Sequence, residues 1–308
     1  MRPRILITGG AGFIGSHIVE HFQGQAEIVV LDDFRTGYRR NLAGLNCRVV
    51  EGSILDETAL TKAMQGVERV FHLAAMISVP ESVQKPAECV QLNVEGTRRV
   101  LTAAVRVGAR KVVLASSAAI YGDNPLVPKL ETMPPEPKSP YAETKLAGEH
   151  LLADFQRVHG LATASLRFFN VFGPRQDPQS AYAAAVPIFI ARALRSEDIT
   201  IYGDGEQTRD FIYVKDIVGA LNFVSLSPVA TGSYNVGYGQ SLSIKSLAQE
   251  ILKLTASKSA LRFLSGRPGD VMHSVASSEK LRQTGWIPRH NLPSGLAATI
   301  DYFRSVNV

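Results

Sequence analysis

Residues 4 to 15 read Arg4-Ile5-Leu6-Ile7-Thr8-Gly9-Gly10-Ala11-Gly12-Phe13-Ile14-Gly15. An apolar run of strand length stops at a threonine, glycines follow at 9, 12 and 15, and Ile14, Ile18, Val19 and Phe22 then recur at helical spacing. A strand that turns on glycines into a helix puts bare backbone N–H groups at the positive end of that helix, where an anion is favoured. The spacing G-x-x-G-x-x-G is a variant of the dinucleotide fingerprint, in which glycines allow a tight turn and close approach of backbone to a pyrophosphate. A P-loop is excluded because Ser16-His17 follows Gly15 and no lysine is placed to reach a phosphate.

Asp32 closes the next strand-like run, EIVVLD, about 20 residues on, where a carboxylate accepts hydrogen bonds from an adenosine ribose. A carboxylate at that place repels a 2′-phosphate, so the reading favours NAD over NADP. His17, Glu20 and His21 on the same helix spell H-x-x-E-H, the lettering of an inverted zinc-protease motif. The helical pattern assigns Ile14, Ile18, Val19 and Phe22 to the buried face and predicts a solvated polar face for the two histidines and the glutamate, so no metal is expected.

Further along, RVFHLAA, KVVLASS and TASLRFFN are continuous, apolar and β-branched, with amphipathic segments between them. Strands buried on both faces look like this, and the alternation predicts an α/β fold with a doubly wound parallel sheet of Rossmann type. After about residue 170 the rhythm gives way to turns such as FGPRQDP, YGDGEQT and GRPGD. We therefore expect a cofactor domain over 1–170 and a smaller, interleaved substrate domain over 171–308, with the chain returning to the first sheet near 214–238, at GSYNVG.

The bulk numbers fit. A chain of 308 residues that is 45% hydrophobic buries a large core. It has no apolar run near the roughly 18 residues that span a bilayer. Cys47 and Cys89 are too few for a disulfide scaffold, and a soluble, cytoplasmic protein is expected. The net charge of +5 is spread as Arg39-Arg40, Arg98-Arg99 and singletons. That distribution suits a small anionic ligand and gives no footprint for nucleic acid.

Tyr141 precedes Lys145 by one helical turn, behind Pro125, Pro128, Pro134, Pro135, Pro137 and Pro140, which hold an extended lead into a helix. A free phenol has a pKa near 10, and service as a base near neutrality requires a drop of about three units, roughly 4 kcal/mol. One ammonium at about 4 Å supplies energy of that order in an effective dielectric near 20. The spacing thus predicts a phenol tuned downward by Lys145.

Taken together, the glycine turn, Asp32, HLAA at 72–75, Asn93, SSAAIYG at 116–122 and the Tyr141/Lys145 pair resemble the extended short-chain dehydrogenase/reductase family, and within it the nucleotide-sugar 4-epimerases of the UDP-galactose/UDP-N-acetylglucosamine type. The likeness runs from Ile5 to about Trp286. It implies Ser117, Tyr141 and Lys145 as the catalytic group. NAD would lie against Gly9, Gly12, Phe13, Ile14, Gly15, Asp32, Asp33, Phe34, Ser53, Ile54, Leu73, Ala74, Ala75, Asn93 and Phe168, besides Tyr141 and Lys145. A UDP-sugar would meet Ser117, Asn170, Tyr202, Arg209, Arg267, Asp270 and Ser274. The residue types suit those roles, since guanidinium groups pair with a diphosphate and an aromatic face suits a base. The resemblance further implies a homodimer joined through the helix of about 142–158 and the one beginning near Asn93.

Four positions bear on the expectation, and the last two of them qualify it. Ala118 stands where the related sugar dehydratases carry an acid, so simple oxidation and re-reduction are favoured over elimination. Ser274 stands where epimerases restricted to plain hexoses carry a bulky tyrosine, which leaves room for an N-acetyl group on the sugar. Ser53 replaces an aspartate, and Ile77 a lysine, of the UDP-galactose enzymes. A dehydratase, a UDP-glucuronate-processing relative and a non-catalytic NAD-binding regulator stay open as other readings.

Overall fold

The computed structural model describes residues 2–179, 184–266 and 271–306. Six strands follow one another from the N-terminus: β1 (Arg4–Thr8), β2 (Glu27–Asp32), β3 (Arg48–Glu51), β4 (Arg69–His72), β5 (Lys111–Ser117) and β6 (Ala162–Phe168). With Gly232–Val236 they form one seven-stranded parallel sheet, ordered Gly232–Val236, β6, β5, β4, β1, β2, β3. The order reverses between β1 and β4, and the crevice at such a switch point is where open α/β sheets bind ligands.

Adjacent side chains of each strand go to opposite faces, which explains why the strands read as unbroken apolar runs. Ile5, Ile7, Val30, Phe71, Val113 and Leu166 pack on one face against Ile18 of helix α1 (Phe13–His21), Phe22 just past its end, and Ile217 and Leu221 of the Val214–Leu226 helix. Leu6, Val29, Leu31, Val70, Val112 and Leu114 pack on the other against Leu60, Val100, Leu101 and Leu151. Gly232–Val236 lies far along the chain yet pairs in parallel with β6, so residues beyond 170 contribute to this sheet.

A third apolar cluster, with Phe172, Ile190, Ile199, Ile201, Leu247, Ile251, Leu296 and Ile300, organises the C-terminal region. Small strand pairs carry it: Ile199–Tyr202 with Leu261–Leu264, Thr208–Arg209 with Leu242–Ser243, and Phe211–Tyr213 with Asn170–Phe172. Among the described residues no helix is long and apolar enough to cross a membrane.

Candidate active site

The turn after β1 is built by steric exclusion. Gly9 has φ +70, and a Cβ there would lie 2.8 Å from the backbone nitrogen of Ala74. A Cβ on Gly15 would lie 2.7 Å from Gly10 Cα. Only glycine lets the loops after β1 and β4 approach so closely while α1 packs on the turn. Helix α1 starts at Gly12 with no side-chain cap and no acid in its first turn. Its first N–H groups and the positive end of its dipole are thus available to an anion such as a pyrophosphate. Phe13 and Ile14 are half-buried behind this turn and pack against the C-terminal cluster.

Asp32 ends β2 nearly buried, accepting the N–H groups of Ala11 and Phe34 at 2.8 Å each. Burial raises its pKa despite those two bonds, and the neighbouring Asp33 adds to the rise. Phe34 has φ +57 and stacks beneath the Arg39 guanidinium, 4.2 Å from its ring centroid. Glu51, the register partner of Asp32, pairs with Arg39 at 2.5 Å, and Arg35 pairs with Glu88 at 2.8 Å. The two arginines that follow Asp32 are therefore matched by carboxylates. Ser53 holds the N–H of Leu55 at 3.2 Å, and Ile54 is buried in the second core.

The loop Leu73–Ala75 hangs from Thr8 and His72. Thr8 Oγ1 accepts the N–H groups of Leu73 and Ala74, both at 3.2 Å, and lies 2.7 Å from His72 Nδ1. On the other side of the ring, His72 Nε2 is 2.9 Å from Thr97 Oγ1, which donates its own proton to Asn93 O at 2.6 Å. Thr97 must then accept from Nε2–H, and Nδ1 accepts from Thr8, so the network assigns one neutral tautomer. Burial, helped by the Lys145 charge, lowers the His72 pKa to about 3. Asn93 is buried, and its amide clasps Met76 from both sides (2.7 Å to the N–H, 3.0 Å from the carbonyl) and reaches Thr144 at 3.0 Å. It anchors the β4 loop to the helix that carries Tyr141.

That helix, Pro140–His159, starts where Ser139 accepts the N–H of Ala142 and Pro140 occupies the first turn, and it ends at Gly160 with φ +68. Pro at the start and Gly just past the end are the expected stops. Tyr141 lies beside Ser117, the last residue of β5 and the register partner of Phe168. Lys145 is buried one turn behind. Its Nζ donates to Ala115 O at 2.8 Å and lies 5.7 Å from the Tyr141 ring centroid.

The electrostatics depart from the expectation of a phenol tuned downward. Burial raises the Tyr141 pKa, and the nearby Ser117 hydroxyl pulls the other way without reversing it. Lys145 is itself lowered to about 8 by desolvation. The ammonium lies 5.7 Å from the ring centroid, and desolvation of the phenol sets the direction of its shift. The chain by itself places Tyr141, Ser117 and Lys145 together and makes the phenol harder to ionise.

A second correction concerns α1. His17 is buried, not solvated: Nε2 contacts Pro174 O at 2.9 Å, and Nδ1 lies 2.7 Å from Arg175 Nη2, which also bonds Glu20. The helical pattern holds for the sheet side, but a second layer, the Gly173–Asp177 loop, covers the opposite side. Among the described residues no group of three or more His, Cys, Asp or Glu side chains is arranged to hold a metal ion.

The substrate candidates form a second group. Asn170 pairs with Phe211, and its N–H reaches Asp210 O at 3.0 Å, leaving an exposed side chain. Arg209 Nη1 donates to Thr208 O and Val271 O at 2.8 and 2.6 Å, which fixes one end of the guanidinium. Ser274 N donates to Thr208 O at 3.2 Å, so Ser274 lies beside Arg209. Tyr202 ends the Ile199–Tyr202 strand, and Gln207 Nε2 donates to its carbonyl at 2.8 Å across the turn that leads to Arg209. Arg267 and Asp270 lie outside the described residues.

Over residues 5–237 the sequence matches the NAD dependent epimerase/dehydratase family. The chain belongs to that family. It is 38% identical over 313 residues to the UDP-glucose 4-epimerase of Mycolicibacterium smegmatis, covering 98% of this chain and 99% of that one. Among solved structures it is similar to the UDP-N-acetylglucosamine 4-epimerase from Methanobrevibacter ruminantium in complex with UDP-N-acetylmuramic acid (TM-score 0.95, 38% identity, 99% of this chain and 100% of that one). It is also similar to the Thermus thermophilus UDP-glucose 4-epimerase in complex with NAD (TM-score 0.90, 37% identity, 98% and 99% covered). The doubly wound parallel sheet agrees with the expected architecture.

Proposed function

We propose that this chain is an NAD-dependent UDP-hexose 4-epimerase that accepts UDP-N-acetylglucosamine and UDP-N-acetylgalactosamine, and UDP-glucose and UDP-galactose as well. The observation that carries the reading is the meeting of Ser117, at the C-terminal edge of β5, with Tyr141, and Lys145 one turn behind. The glycine turn of β1 and Asp32 supply a cradle whose residues fit NAD. Similarity to UDP-sugar 4-epimerases over nearly the full chain supports the same reading.

Bound NAD supplies a hydride acceptor, later a hydride donor, and a positive nicotinamide ring. Once ionised beside that charge, Tyr141 Oη would take the proton of the sugar 4-hydroxyl as C4 gives up its hydride, while Ser117 holds that oxygen. Lys145 would hold charge beneath the phenol. The resulting 4-keto sugar would turn over in the pocket, regain hydride on its other face, and recover its proton from Tyr141. Arg209 grips the nucleotide end, and the small Ser274 leaves the ring free to rotate. Ala118, directly after Ser117, offers no carboxyl group for eliminating water.

The test incubates purified protein, without added cofactor, with UDP-N-acetylglucosamine and UDP-glucose in parallel and follows the anomeric proton signals by NMR. The expected product is the 4-epimer in each mixture. Accumulation of a stable 4-keto-6-deoxy sugar would instead identify a dehydratase and overturn the reading.

A further inference from the structure

Ser117 and Tyr141 stand at the two ends of one connector, residues 118–140, and the middle of that connector is fastened to the segment that carries Ser274. The fastening point is Lys129. Its N–H donates to Val275 O at 2.8 Å, and its carbonyl accepts from Ser277 N and from Asn235 Nδ2, both at 2.9 Å. These bonds make a parallel bridge opposite Ala276, two residues beyond Ser274.

The side chain turns the other way, into the connector, and is 2% exposed. Its ammonium donates to Leu126 O at 2.8 Å and to Asn124 O. Lysines are rarely buried to this degree, because removing an ammonium from water is costly unless carbonyl oxygens replace the solvent. Here two carbonyls of one turn do so. Glu136 N donates to Ile120 O at 2.8 Å and Asn124 Nδ2 to Glu136 Oε1 at 3.1 Å, which closes the connector around the ammonium.

A continuous hydrogen-bonded network runs from this point to Ser116, the chain neighbour of Ser117. Asn235 accepts from the Tyr121 hydroxyl at 2.7 Å, and that hydroxyl accepts from Arg167 Nη1 at 2.7 Å. Arg167 is paired in the interior with Glu149 at 2.7 Å, and Glu149 accepts from Ser116 Oγ at 2.5 Å, next to Ser117. Every link is buried, so a shift at one end meets packed neighbours rather than water.

We propose that Lys129 is a positioning residue for the sugar site: its buried ammonium folds the connector between Ser117 and Tyr141 into the shape whose backbone holds residues 274–277 in register with the proton-transfer pair. The proposal rests on the 4-epimerase reading. It adds a residue that touches neither cofactor nor sugar and yet sets where the sugar is held.

The test compares wild type with Lys129→Met, which keeps the aliphatic stem and removes the ammonium, and with Lys129→Arg, which keeps the charge. Three quantities are read: hydrogen exchange of the residue-129 and Ser277 amides, bound NAD, and KM and kcat for UDP-N-acetylglucosamine. In Lys129→Met those two amides are expected to exchange about tenfold faster. KM is expected to rise about fivefold with kcat within about twofold, at unchanged NAD content, and Lys129→Arg restores most of the difference. Unchanged exchange overturns the proposal, as does faster exchange with unchanged KM. Parallel loss of kcat and of bound NAD also overturns it, since that pattern belongs to a residue of the general fold. If Lys129→Met does not fold, Lys129→Gln takes the same measurements. A wild type that epimerises neither UDP-hexose fails the functional reading alone, and UDP affinity by calorimetry then replaces KM in deciding the role of Lys129.

Discussion

Lys145 gives its best hydrogen bond to the carbonyl of Ala115, at 2.8 Å, while its ammonium stays 5.7 Å from the centre of the Tyr141 ring. The cation is thus fixed to the sheet, and the phenol lies beside Ser117 on the same strand. Within the chain alone this leaves Tyr141 harder to ionise than a free tyrosine, so its activation needs a further positive charge. In cofactor-free protein, ultraviolet difference titration should find no tyrosinate signal from Tyr141 below the ordinary value near 10. Tyr141→Phe should lower kcat by about 10²- to 10⁴-fold, the usual worth of a positioned proton-transfer group, with NAD retained. A Tyr141→Phe enzyme of near wild-type rate would remove the phenol from the mechanism.

The same burial makes stability depend on pH in the alkaline range. Lys145 has a folded pKa of about 8 against 10.5 unfolded, so between those values the unfolded chain binds the extra proton and stability rises with pH. Below about 8 the whole penalty of a buried ammonium is present. Above 10 the raised phenol of Tyr141 acts in the opposite sense, because the unfolded state then loses its proton first. Urea midpoints at pH 8, 9 and 10 should climb with a slope of up to about 1.4 kcal/mol per pH unit. Lys145→Met should flatten the climb, and a variant that keeps the full slope would assign it to other groups.

His72 gives the corresponding acid-side prediction. Its Nδ1 accepts from Thr8, and charging the ring would add a proton at that nitrogen and break the bond that also orders Leu73 and Ala74. The folded pKa of about 3 lies below the unfolded 6.5, so stability is unaffected by this group above 6.5 and falls as pH drops from 6.5 toward 3. Buried His17 is shifted downward too and acts in the same direction. The informative quantity is therefore the difference between wild type and His72→Gln. The wild type should lose more stability on going from pH 7 to pH 5, and equal losses would show that His72 is not held neutral by the fold.

What is legible in the sequence follows from which interactions are local. The β1 turn can be read because glycine spacing, strand pattern and helix pattern all lie within Arg4–Phe22, and Asp32 follows from the next strand end. The Tyr141/Lys145 spacing is equally local, but the sign of the tyrosine shift is not. It depends on how much water Ala115, Ser117 and the packed helix exclude, which is a property of the assembled fold. The buried Glu149–Arg167 pair joins residues from a helix and a strand, and its one hint in the sequence is an arginine inside the apolar run TASLRFFN. His17 reads as solvated because a helical wheel sees one packing partner, whereas Pro174 and Arg175 arrive from more than 150 positions away.

Ser274 provides the sharpest test of substrate choice. Its N–H is bonded to Thr208 O, and the bridge of Lys129 to Ala276 fixes the segment just beyond it, so a larger side chain at 274 has little backbone freedom to retreat. Ser274→Tyr should therefore fill the space assigned to the sugar's 2-substituent. The expected outcome is a fall in kcat/KM for UDP-N-acetylglucosamine of roughly 10- to 200-fold, the range for a steric mismatch in a pocket, with UDP-glucose turnover within about threefold of wild type. Parallel progress curves on the two substrates decide it. If both fall together, the tyrosine has damaged the fold or the diphosphate grip of Arg209. If neither falls, the acetyl group is not lodged beside Ser274, and selectivity must reside elsewhere in the pocket.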